Sequence, residues 1–334
     1  MIKLKTKGLF DGYFTKMFKN VYVATSSKTP PSISVPSDME EYITLLSEKL
    51  KENMPPVEYH QESMRVVIPQ SKKIMVAFSS GKDCVATAIK FLQKGYEVYL
   101  YHLKGVNRSY TQEYDHSKAV AEALGCTFIS DTISISGKCD YIENPTRNQF
   151  ILAMMVDEGL KLGITEYAFG NQLSDTHENV NPEIMCSDNL EFFYAIEKYY
   201  QKRISNFKLH TVLEHLTDSY CTVSAYDSEL FRLISSCNGP LRFKEHRTKE
   251  KQEKFGITLL PGRCGTCYKC ANETVTLQLL GVLDYPEEYI QYCKEVMSKW
   301  TDKLYNTAPP KWVDEKYIED FKKVNKDRIK KLEL

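Results

Sequence analysis

The chain has 334 residues, and its 44 Lys and Arg balance its 44 Asp and Glu to a net charge of +0. This balance excludes a strongly basic or acidic protein, and a composition of 42% hydrophobic and 26% charged residues excludes global disorder. No run approaches the ~20 apolar residues of a membrane span, and residues 1–18 contain no apolar stretch of signal-peptide length. We therefore expect a cytoplasmic protein with no membrane partner, and nucleic acid is not a favoured partner.

Residues 1–70 are predicted to form an N-terminal appendage. Three prolines oppose regular structure between residues 26 and 36. Ser37 and Glu40 then have the spacing of a capping box, and apolar residues at helical spacing follow as far as Leu50. We expect this helix to pack against the main domain, with a specific recognition element as the alternative.

Residues 71–235 are predicted to form the main domain, because strands and helices alternate there. Short apolar strands are expected over 74–78, 98–102, 126–130 and 167–169, with helices over 85–95, 111–124 and 144–162. Continuously apolar strands are typical of a sheet covered on both faces. Their alternation with helices predicts an α/β fold with a doubly wound parallel sheet.

Residues 236–334 are predicted to form a small C-terminal helical lobe that binds zinc. Ten cysteines occur in the chain, and three of them fall within seven residues of this lobe. Disulfide frameworks belong to short secreted chains, so we expect reduced thiols that bind metal. The stretch 242–254 has six Lys and Arg against three Glu and is predicted to be a solvated loop, with a basic contact surface as the alternative. Helices are expected over 287–300 and 313–332.

The segment Phe78-Ser-Ser-Gly-Lys-Asp-Cys84 joins the first strand of the main domain to its helix. Loops at this edge of an open α/β sheet bind ligands, and small residues let backbone N–H groups converge on an anion. Ser79 and Ser80 can donate hydroxyls and Lys82 supplies a cation, whereas Asp83 favours a phosphate accompanied by Mg²⁺. The glycine spacing excludes both a Walker A loop and a Gly-x-Gly-x-x-Gly loop. We therefore predict phosphate binding, with a merely tight turn as the alternative.

This loop resembles the Ser-Gly-Gly-x-Asp-Ser loop of the N-type ATP pyrophosphatases, the PP-loop family. The resemblance implies a fold like that of the adenine nucleotide alpha hydrolases and a loop that wraps the pyrophosphate of ATP. The implied ATP-binding residues are Ser79, Ser80, Gly81, Lys82, Asp83 and Cys84, of which Lys82 and Asp83 are the implied catalytic residues. In that family an acceptor carbonyl or carboxylate is adenylated and pyrophosphate leaves. Two positions depart from the pattern, since Ser80 replaces a glycine and Cys84 replaces a Ser or Thr.

Two further motifs resemble one branch of this family, the 7-cyano-7-deazaguanine synthases of the queuosine pathway. A Pro-x-Arg-Asn segment opens a predicted helix, and its Arg147 and Asn148 suit an anionic or amide-bearing ligand, with solvation of the helix start as the alternative. A later strand runs into a Gly-x-x-x-x-Asp segment over Gly170–Asp175, and Pro182-Glu183 follows. By this resemblance, the substrate-binding residues are Arg147, Asn148 and Asp175. The Asp-Cys-Arg that precedes Pro-Glu in the synthases is absent here.

Cys264, Cys267 and Cys270 form two overlapping Cys-x-x-Cys units, a spacing that lets a tight turn place thiolates about 2.3 Å from one metal ion. The synthases that the chain resembles supply a fourth cysteine in an upstream Ser-Cys pair, which Cys237 matches. We therefore predict a zinc ion bound by these four cysteines. His246 is the alternative fourth ligand, and an iron–sulfur cluster is the alternative metal group.

Together these features predict an ATP-dependent ligase or synthase of the PP-loop type, with ATP, Mg²⁺ and Zn²⁺ as cofactors and a small molecule as substrate. By resemblance, it adenylates a carboxylate for attack by a nitrogen nucleophile, with ammonia as donor and a 7-deazapurine nitrile or amide as product. One alternative is a tRNA-thiolating PP-loop enzyme, which the balanced charge disfavours. The other is a nucleotide-binding interaction protein that has lost catalysis, which Ser80, Cys84 and the missing Asp-Cys-Arg suggest. Whether the chain forms a homodimer is left open.

Overall fold

A computed structural model describes residues 32–50, 56–61, 65–104, 113–132, 147–171, 190–211, 218–234, 237 and 241–305. These residues form a parallel sheet with helices on both faces, followed by a helical C-terminal part. Within the described ranges, no helix is both long and apolar enough to cross a membrane.

The residues ahead of the main sheet form two short parallel strands with a helix between them. These elements are β1 (Ile33–Pro36), α1 (Glu40–Leu50) and β2 (Val57–His60). The helix packs on the main core, where the ring of Tyr42 meets that of Phe192 edge-on at 5.5 Å between centroids. The predicted helix is confirmed, but the predicted capping box is wrong. Ser37 lies in a 3-10 turn and donates its hydroxyl to the His60 carbonyl oxygen at 3.1 Å, because the return of β2 brings that acceptor within reach.

Among the described residues, the main sheet has five parallel strands joined by helices. In chain order its elements are β3 (Lys73–Ala77), α2 (Lys82–Gln93), β4 (Glu97–Lys104), α3 (Glu113–Leu124), β5 (Thr127–Thr132), α4 (Arg147–Lys161), β6 (Glu166–Ala168), α5 (Leu190–Arg203) and β7 (Lys208–His210). The strand order is β5-β4-β3-β6-β7. The predicted parallel α/β sheet is confirmed, and β7 is added to it as an edge strand that the sequence pattern did not indicate.

Helices cover both faces of this sheet, and the strand β3 shows why its sequence is apolar. Met75 packs in the core with α1, α4 and α5, whereas Ile74 and Val76 pack on the opposite face with α2 and α3. All three side chains are fully buried. A strand that is buried on both faces has no solvent-facing positions, so polar residues do not alternate with apolar ones.

Four helices follow the sheet in the part of the chain that the structure describes. They are α6 (Asp218–Asp227), which packs against α2, and then α7 (Leu241–Phe255), α8 (Tyr268–Leu279) and α9 (Glu287–Tyr305). A 3-10 turn over Ser228–Arg232 follows α6. The helix predicted over 287–300 is confirmed as α9 and extends to Tyr305. The helix predicted over 313–332 lies outside the described residues.

The charged stretch 242–254 is helical, so the predicted solvated loop is wrong. Within it, Lys249 and Glu253 form an i,i+4 pair at 3.8 Å. The ammonium of Lys251 lies 4.8 Å from the centre of the Tyr292 ring in α9, and Lys251 is buried. Lys and Glu are good helix formers, and packing against α9 gives α7 a buried side that its charge density does not reveal.

Candidate functional site

The loop between β3 and α2 lies where the strand order changes direction. β3 pairs with β4 on one side and with β6 on the other, and both neighbours run parallel to it. The carboxyl ends of these strands therefore meet at one edge, which is where open α/β sheets bind ligands. Residues 79–81 cross this edge, and α2 begins at Lys82.

Ser80 has an unusual backbone conformation within this loop. Its φ of 56° lies in the left-handed region that favours glycine. The residue is fully buried, and its hydroxyl finds no hydrogen-bond partner among the described residues. The serine stands where the PP-loop pattern has a glycine, so this departure carries a conformational cost on the order of 1 kcal/mol.

A close backbone contact joins the loop to β6. Gly170 follows β6, and a Cβ atom built on it would lie 2.5 Å from the carbonyl carbon of Asp83 and 2.5 Å from the backbone nitrogen of Cys84. Ordinary contacts between such atoms are about 3.5 Å. Only glycine therefore allows the chain after β6 to lie against the first turn of α2.

Lys82 and Asp83, the predicted catalytic residues, are paired with each other in that first turn. Nζ of Lys82 lies 2.7 Å from Oδ1 and 2.8 Å from Oδ2 of Asp83. Ser219, in the first turn of α6, donates its hydroxyl to Oδ1 of Asp83 at 2.5 Å. Nζ of Lys82 also lies 5.2 Å from the centre of the Tyr220 ring. Two adjacent residues of α6 thus contact both charges of the loop.

Cys84 braces the loop from within α2. Its thiol donates to the carbonyl oxygen of Gly81 at 3.0 Å and accepts from the backbone N–H of Ser79 at 3.4 Å. Burial raises the pKa of this thiol to about 11, so it is protonated near neutral pH. A buried, protonated thiol is a structural residue rather than a nucleophile. It takes the place of the Ser or Thr of the PP-loop pattern as a weaker donor.

Arg147 and Asn148, two of the predicted substrate residues, form the start of α4. Because α4 connects parallel strands, its start lies at the same edge of the sheet as the loop. Nε of Arg147 lies 3.4 Å from Oδ1 of Asn148, and Asn148 is buried. The third predicted substrate residue, Asp175, lies outside the described residues, as does the Pro182-Glu183 pair.

Glu113 is a candidate residue that sequence reasoning missed. It begins α3, the helix that follows β4. Burial raises the pKa of its carboxyl to about 7, against the lowering effect of the Arg147 and Lys269 charges. An acid with a pKa near neutrality at this edge of the sheet is a functional-site candidate. The only sequence signal is an acid in the first turn of a helix after a strand, since three separate helices bring these charges together.

The four predicted metal ligands lie together. The Sγ atoms of Cys237, Cys264, Cys267 and Cys270 are all within 4.8 Å of one another, and those of Cys264 and Cys270 are 3.8 Å apart. Four sulfur atoms bound tetrahedrally at ~2.3 Å from zinc lie ~3.8 Å apart, so the arrangement fits this ion. Hydrogen bonds from the other three thiols hold the pKa of Cys264 far below its usual value. The side chain of His246, the alternative ligand, is outside the described part of the structure.

The cysteine cluster is built around the start of α8. Gly265 has a φ of 65°, which lets the chain turn tightly after Cys264. Cys267 is the N-cap of α8, and its sulfur accepts the backbone N–H of Cys270 at 3.4 Å. A thiolate is favoured there because the N-terminal end of a helix carries partial positive charge. The hydroxyl of Thr266 donates to the sulfur of Cys264 at 3.4 Å.

A buried ion pair supports the cluster. Arg263 precedes Cys264, and its guanidinium lies 2.7 Å from Oε1 and 2.8 Å from Oε2 of Glu273 in α8. The two side chains are only 4% and 3% exposed. Arg263 also donates to the carbonyl oxygens of Pro261 and Ile234. Arg263 therefore connects the cysteine cluster, through its hydrogen bond to Ile234, with the segment after α6.

Comparison with protein-family models finds no match. A curated relative, the tRNA-specific 2-thiouridylase MnmA 2 of Aliarcobacter butzleri, is 24% identical to the chain over 222 residues. The match covers 60% of this chain and 53% of that protein, so the chain spans about half the length of the curated relative it matches.

Three solved structures are similar in part. A predicted subunit of tRNA methyltransferase from Methanocaldococcus jannaschii is 19% identical, with 46% of this chain and 74% of that chain covered and a TM-score of 0.31. An NMN synthetase from Francisella tularensis is 10% identical, with coverages of 82% and 98% and a TM-score of 0.36. An NH3-dependent NAD synthetase from Campylobacter jejuni is 12% identical, with coverages of 82% and 96% and a TM-score of 0.34. TM-scores this low do not establish a shared fold.

Proposed function

We propose that the chain is an ATP-dependent adenylating enzyme of the PP-loop type. It would transfer AMP to an acceptor carboxylate or carbonyl, release pyrophosphate, and let a nitrogen nucleophile displace the AMP. The observation that carries this proposal is the strand–loop–helix at the change of strand direction, with Lys82 and Asp83 in the first turn of α2. This arrangement supports phosphate binding, because a helix N-terminus and an ammonium face the same edge of the sheet.

Lys82 and Asp83 have the charges that this reaction needs. Their side chains are 11% and 22% exposed, so both reach the surface of the loop. Mg²⁺ in nucleotide sites usually binds one or two carboxylates together with phosphate oxygens and water, and Asp83 can supply one of them. The residues therefore fit Mg²⁺, which when bound neutralises phosphate charge. The Lys82–Asp83 pair would separate on nucleotide binding, with Lys82 turning to a phosphate oxygen.

Arg147 and Asn148 are the proposed acceptor-binding residues, together with Asp175. The Arg147 guanidinium suits a carboxylate, and the amide of Asn148 can recognise a ring carbonyl or amide. Glu113 lies close to the Arg147 charge and provides a proton acceptor near neutral pH. The resemblance to 7-cyano-7-deazaguanine synthases favours a carboxylate on a 7-deazapurine as acceptor and ammonia as nucleophile.

The four-cysteine cluster is the proposed zinc site. All four thiols are supplied by the chain, which leaves no open position on a tetrahedral ion, as in structural zinc sites. Bound zinc would stabilise the C-terminal part of the chain, because metal binding to thiolates contributes free energy to folding.

Two alternative functions are each favoured by a particular observation. Similarity to a tRNA-specific 2-thiouridylase favours a tRNA acceptor, and an iron–sulfur cluster on the same cysteines would then supply the sulfur chemistry. The strained, unpartnered Ser80 favours a nucleotide-binding protein without catalysis. A red-brown colour with labile sulfide in anaerobically purified protein would support the first alternative. ATP binding without turnover on any acceptor would support the second.

The direct test measures release of AMP and pyrophosphate from ATP with a panel of carboxylates, led by 7-deazapurine carboxylates with ammonia. Loss of a preorganised cation in Lys82→Ala should lower the rate about 100-fold. Lys90→Ala, in the last turn of the same helix, is the matched control and should act like wild type. Failure of wild type to bind ATP at millimolar concentration would refute the proposed function.

A further inference from the structure

The first turn of α6 lies against the loop between β3 and α2, the proposed nucleotide loop, and neither its sequence nor the resemblance assigns it a role. Ser219 is fully buried, and its hydroxyl donates to Oδ1 of Asp83 at 2.5 Å. The two residues are 136 positions apart in the chain. Tyr220, the next residue, is 1% exposed and turns its ring face toward the Lys82 ammonium at 5.2 Å.

The support for this turn comes from the protein core and does not depend on a ligand. Tyr220 stacks on Phe231 at 6.1 Å between centroids, and both rings are buried in the core that also holds α2 and α3. Ser219 therefore presents its hydroxyl from a fixed position. Lys82 differs, because its flexible stem can move the ammonium from Asp83 to a phosphate oxygen.

The contacts that Lys82 and Ser219 make with the Asp83 carboxylate therefore respond differently to a bound phosphate. When Lys82 turns to a phosphate, its bonds to Oδ1 and Oδ2 of Asp83 are lost, and the bond from Ser219 to Oδ1 persists. A carboxylate with one oxygen fixed by a hydroxyl keeps its other oxygen, Oδ2, in a defined direction. Hydrogen-bonded partners of this kind orient the ligands of metal ions.

We propose that Ser219 is a positioning residue for Asp83: its hydroxyl holds the carboxylate in the orientation that receives Mg²⁺ with the nucleotide. The inference rests on the proposed function, since it requires the loop to bind ATP with Mg²⁺. It adds a residue on a separate helix that controls how strongly Mg²⁺ supports nucleotide binding, while the phosphates are bound by Lys82 and the loop backbone.

Calorimetric titration of the full chain tests this proposal, with ATP added either in excess Mg²⁺ or in EDTA. Ser219→Ala should weaken binding of Mg²⁺–ATP about 10-fold, the lower end of the usual effect of losing such a partner. Its affinity for ATP in EDTA should stay within about twofold of wild type, because Lys82 and the backbone are unchanged. Ser224→Ala makes the same substitution later in α6 and is the matched control. Thermal unfolding without nucleotide checks that each variant is folded.

The outcomes separate this inference from the proposed function. Selective loss of the Mg²⁺-dependent part of the affinity in Ser219→Ala supports the positioning role. If Ser219→Ala lowers both affinities equally, or changes neither, Ser219 is a packing residue and the inference is overturned while the proposed function stands. If wild type binds ATP in neither condition, the proposed function fails and the positioning role fails with it.

Discussion

Gly170→Ala tests whether the contact between the end of β6 and α2 shapes the nucleotide loop. The added Cβ would lie 2.5 Å from the Asp83 carbonyl carbon, 2.5 Å from the Cys84 nitrogen and 2.7 Å from the Asp83 carbonyl oxygen. Since these are backbone atoms, no side chain can rotate away. Restoring an ordinary contact requires the first turn of α2 to move by about 1 Å.

Overpacking of this kind costs about 1–3 kcal/mol. Movement of the first turn of α2 would displace Lys82 and Asp83, so part of this cost should appear as weaker ATP binding. If the whole overpacking cost appears as weaker ATP binding, the dissociation constant for Mg²⁺–ATP rises about 5- to 150-fold. Isothermal titration measures this constant, and urea unfolding measures the part that appears as lost stability.

Gly125→Ala is the matched control for this prediction. Gly125 has a φ of 65°, and a Cβ built there meets nothing within 4 Å. Its replacement therefore carries a conformational cost of about 1 kcal/mol in the free energy of unfolding, with no displacement of the loop. Wild-type ATP affinity in Gly170→Ala, or equally weakened ATP binding in both variants, would refute the link between this contact and the loop.

Three further predictions concern the cysteine cluster and the charges around it. Cys267→Ser should lower bound zinc, measured by mass spectrometry of the metal, and lower Tm by about 5 °C or more; unchanged zinc stoichiometry would contradict the assignment. Arg263→Met leaves the Glu273 carboxylate buried without its partner and should cost about 3–5 kcal/mol in urea unfolding. The double variant with Glu273→Leu should recover most of this loss, and no recovery would show that charge is not the cause. The pKa of the Glu113 carboxyl is raised from 4.5 to about 7 in the folded chain, so folding favours its protonated form. The stability that this carboxyl contributes is therefore fully present below pH 4.5 and is lost as pH rises through about 7. Relative to wild type, Glu113→Gln should therefore gain up to about 3 kcal/mol in unfolding free energy between about pH 5 and pH 8. A pH-independent difference would contradict the raised pKa.

The parallel sheet and the position of the loop between β3 and α2 could be predicted because their signals are local. Ile74–Ala77 is apolar in a short run, and the small residues that follow it precede a helical stripe. Burial on both faces imposes this pattern on any such strand. The strand β7 gave no comparable signal, because it has only three residues and lies at the edge of the sheet.

The predictions that failed depended on long-range contacts. Ser37 has the spacing of a capping residue, but its hydroxyl bonds to His60, which arrives from a different strand. The charge density of the stretch 242–254 predicts a solvated loop, but the stretch is helical and Lys251 packs on α9. In both cases the structure depends on a contact with a residue distant in sequence, which a pattern of neighbouring residues cannot predict.

By itself, the sequence determined the alternation of strands and helices, the small-residue loop over 79–84 and the spacing of Cys264, Cys267 and Cys270, because hydrophobic period and turn chemistry act over a few residues. Only the tertiary structure decided that Ser219 bonds to Asp83 and that the Glu113 carboxyl lies under the influence of Arg147 and Lys269. These contacts join elements far apart in the chain. They exist because the strand order brings the carboxyl ends of the strands to one edge and packs α6 and α8 there, and sequence spacing does not encode that placement.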